Sequence, residues 1–100
     1  MTQRLRADFN GLFGGSNGET FLCLSHGETA KDENGAEVRL VDGMQVTVYD
    51  EDLDINGKRD DLIANGTVIV SPDWMQCLGS KWALLVNKQG VYNESERIEN

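Results

Sequence analysis

Polar and apolar residues alternate in short stretches along this chain. Val46 and Val48 take turns with Thr47 and Tyr49, the two-residue period of a strand that buries one face. Apolar and β-branched runs recur at Leu5–Phe9, Thr20–Leu24, Glu37–Leu40, Gln45–Tyr49, Leu62–Val70, Trp82–Val86 and Val91–Asn93. No window carries the i, i+3, i+4, i+7 stripe of a substantial helix. Asn-Gly pairs at 10–11, 17–18, 34–35, 56–57 and 65–66 punctuate the runs and suit tight turns. The pair at 65–66 interrupts a strand-like run, which reads as one bent strand with a bulge at Gly66 in preference to a hairpin.

Ser71-Pro72-Asp73-Trp74-Met75-Gln76-Cys77-Leu78-Gly79 has a serine cap, proline at the first position and a closing glycine, and predicts one short helical turn. Asn87-Lys88-Gln89-Gly90 predicts a reversal that joins Trp82–Val86 to Val91–Asn93 as a hairpin, with residues 94–100 as a frayed tail. The 100 residues suffice for one all-β domain. From Asp42 onward the order of strand, polar loop, long strand, helical turn and two strands resembles an SH3-like barrel of short antiparallel strands. The earlier strands would add an N-terminal hairpin. An OB-like barrel is the alternative, disfavoured by the lack of a central helix signal.

Charge sharpens this picture. The net charge is −8, and six acids against Lys58 and Arg59 place −4 of it within residues 50–61. Such a field repels phosphate backbones, so the expected partner is a protein with a basic surface, and nucleic acid is not expected unless Arg4, Arg6 and Arg39 cluster. The longest apolar run, Trp82–Val86, falls far short of the roughly 20 residues of a membrane helix, and Met1–Arg6 is followed by no apolar stretch. A cytoplasmic protein without membrane contact is expected. Cys23 and Cys77 form no CxxC pair and read as reduced, mostly buried thiols.

Within the acidic run, Asp52-x-Asp54-x-Asn56-Gly57 matches the opening of an EF-hand calcium loop, where alternate side-chain oxygens converge on the ion and glycine permits the sharp turn. Lys58 would add its backbone carbonyl. The twelfth position is Ile63, where an EF-hand needs glutamate, and the flanks read as strands. The local pattern is more similar to the calcium loop of integrin-type propeller repeats, which lies between strands. That resemblance implies closure by Asp60, or by Asp61, since one extra residue precedes Leu62-Ile63. Propeller blades do not recur in the chain. The candidate calcium ligands are therefore Asp52, Asp54, Asn56, Lys58, Asp60 and Asp61, against the plainer reading of a solvated acidic loop.

Other chemistry is thin. His26, Cys23 and Cys77 could supply three zinc ligands, but a buried thiol and a histidine at a strand end explain the same residues. Gly11–Gly18 lacks the lysine of a phosphate-binding loop and reads as a flexible turn. No nucleophile, base and oxyanion set is recognisable. The triplets at Asn65 and Asn93 carry no weight without an export signal. Tyr49 and Trp74, if exposed beside the acidic loop, would suit a basic or proline-rich segment. The sequence thus predicts a non-catalytic protein-interaction module, with a calcium-binding module as the alternative and mimicry of nucleic acid as a third reading.

Overall fold

A computed structural model describes residues 4–9, 12–15, 17–25, 29–72 and 81–96. The described chain is mostly β, with strands β1 (Arg4–Arg6), β2 (Leu12–Gly14), β3 (Thr20–Ser25), β4 (Thr29–Lys31), β5 (Glu37–Arg39), β6 (Gln45–Asp50), β7 (Leu62–Val70), β8 (Trp82–Val86) and β9 (Tyr92–Asn93), then one 3₁₀ turn at Glu94–Glu96. The predicted helical turn at 71–79 lies largely outside the described residues, as do Trp74, Cys77 and His26. No described helix is long and apolar enough to cross a membrane.

The main sheet runs β1-β6-β7-β8-β3-β2, with β9 added to β7, while β4 and β5 form a separate hairpin. Its ends, β1 and β2, do not pair, so the expected closed barrel is not formed. The sheet is also mixed, because β1 runs parallel to β6. The N-terminal hairpin consists of β2 and β3 and belongs to the main sheet, while β1 joins the far end of the strand path.

Alternation produces the core. Leu5, Leu22, Leu24, Val46, Val48, Ala64, Val68, Trp82, Leu84 and Val86 face one another, joined by Ala30 and Leu40 around the β4–β5 hairpin. The bridge from Leu5 to Asp32 sets that hairpin against the edge of β1. A smaller cluster, Phe21 and Ala83 with Phe13, Cys23, Ile69 and Leu85, occupies the opposite face of β2, β3, β7 and β8.

Two strand expectations need correction. β7 is one strand, yet its ladders to β6 and β8 run through Gly66 in regular register, without a bulge. Glycine is needed there because a Cβ would lie 2.2 Å from the Leu85 carbonyl oxygen. In addition, β8 and β9 do not pair as a hairpin. Both lie along the same edge of β7, β8 opposite Gly66–Val70 and β9 opposite Leu62–Ile63, with the Asn87–Gly90 turn as an excursion between them.

Candidate functional site: the acidic hairpin

The loop from Glu51 to Asp61 is a small hairpin. The Asp60 amide donates to the Asp52 carbonyl at 2.8 Å, Leu53 bridges Arg59, and the Asp54 amide donates to the Lys58 carbonyl at 2.8 Å. At the tip the Asp54 carboxylate accepts the amides of Asn56 and Lys58, both at 2.9 Å through Oδ1. Gly57 closes the turn at φ 75°, a left-handed value that favours glycine. The same turn recurs in the β4–β5 connection, where Asp32 Oδ1 accepts the amides of Asn34 and Ala36 at 2.9 Å and Gly35 has φ 82°. The shared pattern is Asp-x-Asn-Gly, and at Asp32 no calcium-like spacing precedes it. Half of the apparent calcium signature is therefore a hairpin-turn signature, in which aspartate holds its own backbone.

The base is fastened by the chain end. Asp60 accepts the Ser95 amide at 2.8 Å through Oδ1 and the Ser95 hydroxyl at 2.7 Å through Oδ2. Asn93 Nδ2 donates to the Asp60 carbonyl at 3.0 Å and to Asp52 Oδ2 at 3.3 Å, and the Glu94 amide reaches the Asp61 carbonyl at 2.8 Å. Residues 94–96 are thus an ordered clasp, not part of a frayed tail.

Asp61 points the other way, onto the outer face of β1 and β6, where its side chain is 5% exposed. Arg59 grips it with two bonds, Nε to Oδ1 at 2.8 Å and Nη2 to Oδ2 at 3.1 Å. The hydrogen bond to Asp61, then that carboxylate's charge, raises the Arg59 guanidinium above its ordinary value. Arg4 lies 3.9 Å from Asp61 Oδ2 and 3.4 Å from Glu94, while Glu51 pairs with Arg6 at 3.9 Å and Arg59 at 3.6 Å. Arg4 and Arg6 do come together, with Arg59, but amid carboxylates; Arg39 is on β5.

The six residues proposed as calcium ligands share one hairpin but serve different contacts. Asp54 serves the turn, Asp60 and Asp52 serve the clasp, Asp61 serves the arginines, and Asn56 and Lys58 lie exposed at the tip. Among the described residues no group of three or more His, Cys, Asp or Glu side chains is placed to hold a metal ion.

Tyr49 also departs from expectation. It is 4% exposed, on the outer face of β6 opposite Ile63, with the Arg4 guanidinium 5.2 Å above its ring. Covered by Arg4, it is not available as a surface aromatic. Trp74 lies outside the described residues. Cys23, expected as a thiol, is disulfide-bonded.

Sequence reasoning overlooked the apolar side chains within the acidic run. Leu53 is 64% exposed and Ile55 99% exposed, both on the hairpin and flanked by carboxylates. The signal lay in the run itself, where the two apolar residues sit at alternate positions in an otherwise charged and polar stretch. Elsewhere, an open cleft of about 450 Å³ lies between β1, β3 and β4, lined by Arg6, Asp8, Lys31 and Asp50 together with Ala7, Leu24, Thr29 and Ala30. No family model, curated protein or solved structure matches this chain.

Proposed function

We propose that the chain is a non-catalytic interaction module that presents the Glu51–Asp61 hairpin to another protein. The observation that carries this reading is Ile55, 99% exposed on a hairpin whose base is hydrogen-bonded to the chain end. Ile55 is joined on the same hairpin by Leu53, also exposed, and two neighbouring apolar side chains ringed by polar groups have the composition of an interface centre. Because the base is braced, docking costs little ordering entropy. The carboxylates choose the partner: an apolar cleft rimmed by lysine and arginine, attracted at long range and more weakly as salt rises.

A photoreactive residue in place of Glu51 tests this reading without altering the tip. Crosslinking to a basic protein is expected to weaken with added salt and to fall at least about tenfold in the Leu53→Ser, Ile55→Ser double variant, the size expected when two anchors are lost. Equal crosslinking by that variant would remove the hairpin tip as the contact. The reading requires neither an SH3-like ancestry nor a bound ion. For the alternative, a calcium-binding module, no group of three or more His, Cys, Asp or Glu side chains placed to hold an ion is found among the described residues.

A further inference from the structure

Asn-Gly is the pairing in which a backbone nitrogen most easily reaches the preceding side-chain amide, because glycine places no Cβ in the way. The chain has five such pairs. Asn10 and the residue before Asn17 lie outside the described residues, so the comparison rests on the other three. Asn65 is locked in β7. Its Nδ2 donates to the Tyr92 hydroxyl at 3.1 Å, its Oδ1 accepts the Thr47 hydroxyl at 2.5 Å, and Gly66 is paired to β6 on one side and β8 on the other. Asn34 and Asn56 stand exposed in the two matching Asp-x-Asn-Gly turns, and neither side chain has a hydrogen-bond partner among the described residues. In both turns the glycine amide donates to the aspartate carbonyl at 3.0 Å. The anchors differ, because Asp32 is buried while Asp54 is half-buried and accepts exposed bonds.

We propose that Asn56 is a self-modification site, at which the tip of the acidic hairpin converts without an enzyme to aspartate and isoaspartate. The reaction needs the glycine amide released from its bond and swung toward the side chain, so its rate follows the cost of opening each turn locally. At Asn56 one exposed turn must open. Asn34 requires a buried carboxylate to be unseated, and Asn65 requires β7 to part from both neighbours. Either product adds one negative charge to a segment that already carries −4. Isoaspartate also lengthens the backbone after residue 56, which spoils the geometry by which Asp54 Oδ1 accepts the amides of residues 56 and 58. Both products therefore alter the hairpin that carries Leu53 and Ile55.

The step balances with water alone. The Gly57 nitrogen, its proton given to hydroxide, bonds to the Asn56 side-chain carbonyl carbon, and the Cγ–Nδ2 bond breaks to release ammonia. The cyclic imide then takes up water. Opening at Cγ yields aspartate, and opening at the backbone carbonyl yields isoaspartate, whose main chain runs through the former side chain. In sum, an amide and a water become a carboxylate and an ammonium ion, with no change of oxidation state.

The test incubates the full chain in mildly alkaline buffer and follows each asparagine by peptide mass mapping, with isoaspartate peptides separated by chromatography. Conversion at Asn56 should run at least about tenfold faster than at Asn65, with Asn34 between them, as local opening costs dictate. In denaturing urea the three rates should converge, because only the folded chain distinguishes them. Asn56→Gln should abolish conversion at the tip and leave Asn34 and Asn65 as before. In the isolated isoaspartate form, amides of residues 54–58 should exchange faster while Val46 and Val48 keep their protection. Equal rates at Asn56 and Asn65 in the folded chain, Asn34 outpacing Asn56, or unchanged exchange at the modified tip would each overturn the proposal.

Discussion

At the scale of single residues, the glycines separate two physical demands. Gly57 needs its left-handed backbone and has open space around it, so Gly57→Ala should cost about 1 kcal/mol, the usual penalty for that conformation. Gly66 needs room, with the Leu85 carbonyl 2.2 Å from any added Cβ, and Gly66→Ala should cost about 3 kcal/mol through forced separation of β7 and β8. Urea midpoints for the two variants measure the contrast, and equal losses would refute it. Asp61 makes a third case. Asp61→Ala strands Arg4 beside a buried gap and should destabilise by about 2 kcal/mol, below the range for a fully buried pair because Arg59 is 58% exposed. Glu51→Gln touches only exposed pairs and should stay within about 0.5 kcal/mol of wild type. The raised Arg59 adds no titration near neutrality. A cation raised by folding lends stability that is complete below its unfolded value and lost only as pH climbs through the folded one, which for arginine is beyond any ordinary buffer.

At the scale of elements, the Asp-x-Asn-Gly turn ties sequence to site. Asp32 and Asp54 each satisfy two backbone amides, so Asp32→Ala and Asp54→Ala should each lose about 1–2 kcal/mol, the buried Asp32 more. With no group of three His, Cys, Asp or Glu side chains placed to hold an ion among the described residues, calcium is expected to shift the backbone amides of residues 50–63 no more than magnesium does; a saturable, calcium-specific shift would overturn that expectation. The turns and the longer strands were legible because their determinants are local. Leu62–Val70 and Trp82–Val86 announce themselves by apolar runs, and the Asn-Gly pairs at 34–35 and 56–57 by backbone need. β2 and β4, of three residues each, were not legible, because neither is long enough to show a period and both depend on a neighbour's edge. The collinear placement of β8 and β9 was hidden for the same reason. It depends on β7 offering one long edge to both, which no local turn signal encodes.

At the scale of the whole molecule, distant parts of the chain meet beneath the hairpin. Arg4, from the first described strand, and Glu94, from the last turn, pair at 3.4 Å over a separation of 90 residues, beside Asp61. The acidic run was visible in the sequence, but its support could not be, since Arg4, Asn93 and Ser95 reach it only once β1 has docked on β6 and β9 on β7. The hairpin is therefore held by the folded whole more than by its own tip, and loosening one support should separate orientation from folding. Removing residues 94–100 deletes both Ser95 bonds to Asp60, the Glu94 amide bond to the Asp61 carbonyl and the Arg4–Glu94 pair, and leaves the buried sheet intact. Stability should fall by about 2–3 kcal/mol, as expected for three hydrogen bonds and one exposed ion pair at the molecule's surface. Amides of residues 52–60 should exchange markedly faster, while those of Val46, Val48 and Val68 keep their protection. Because docking would then have to order the hairpin again, crosslinking to a basic partner should drop even though Leu53 and Ile55 are unchanged. Full crosslinking by the truncated chain would show that the clasp is structural decoration, with the tip binding equally well unbraced.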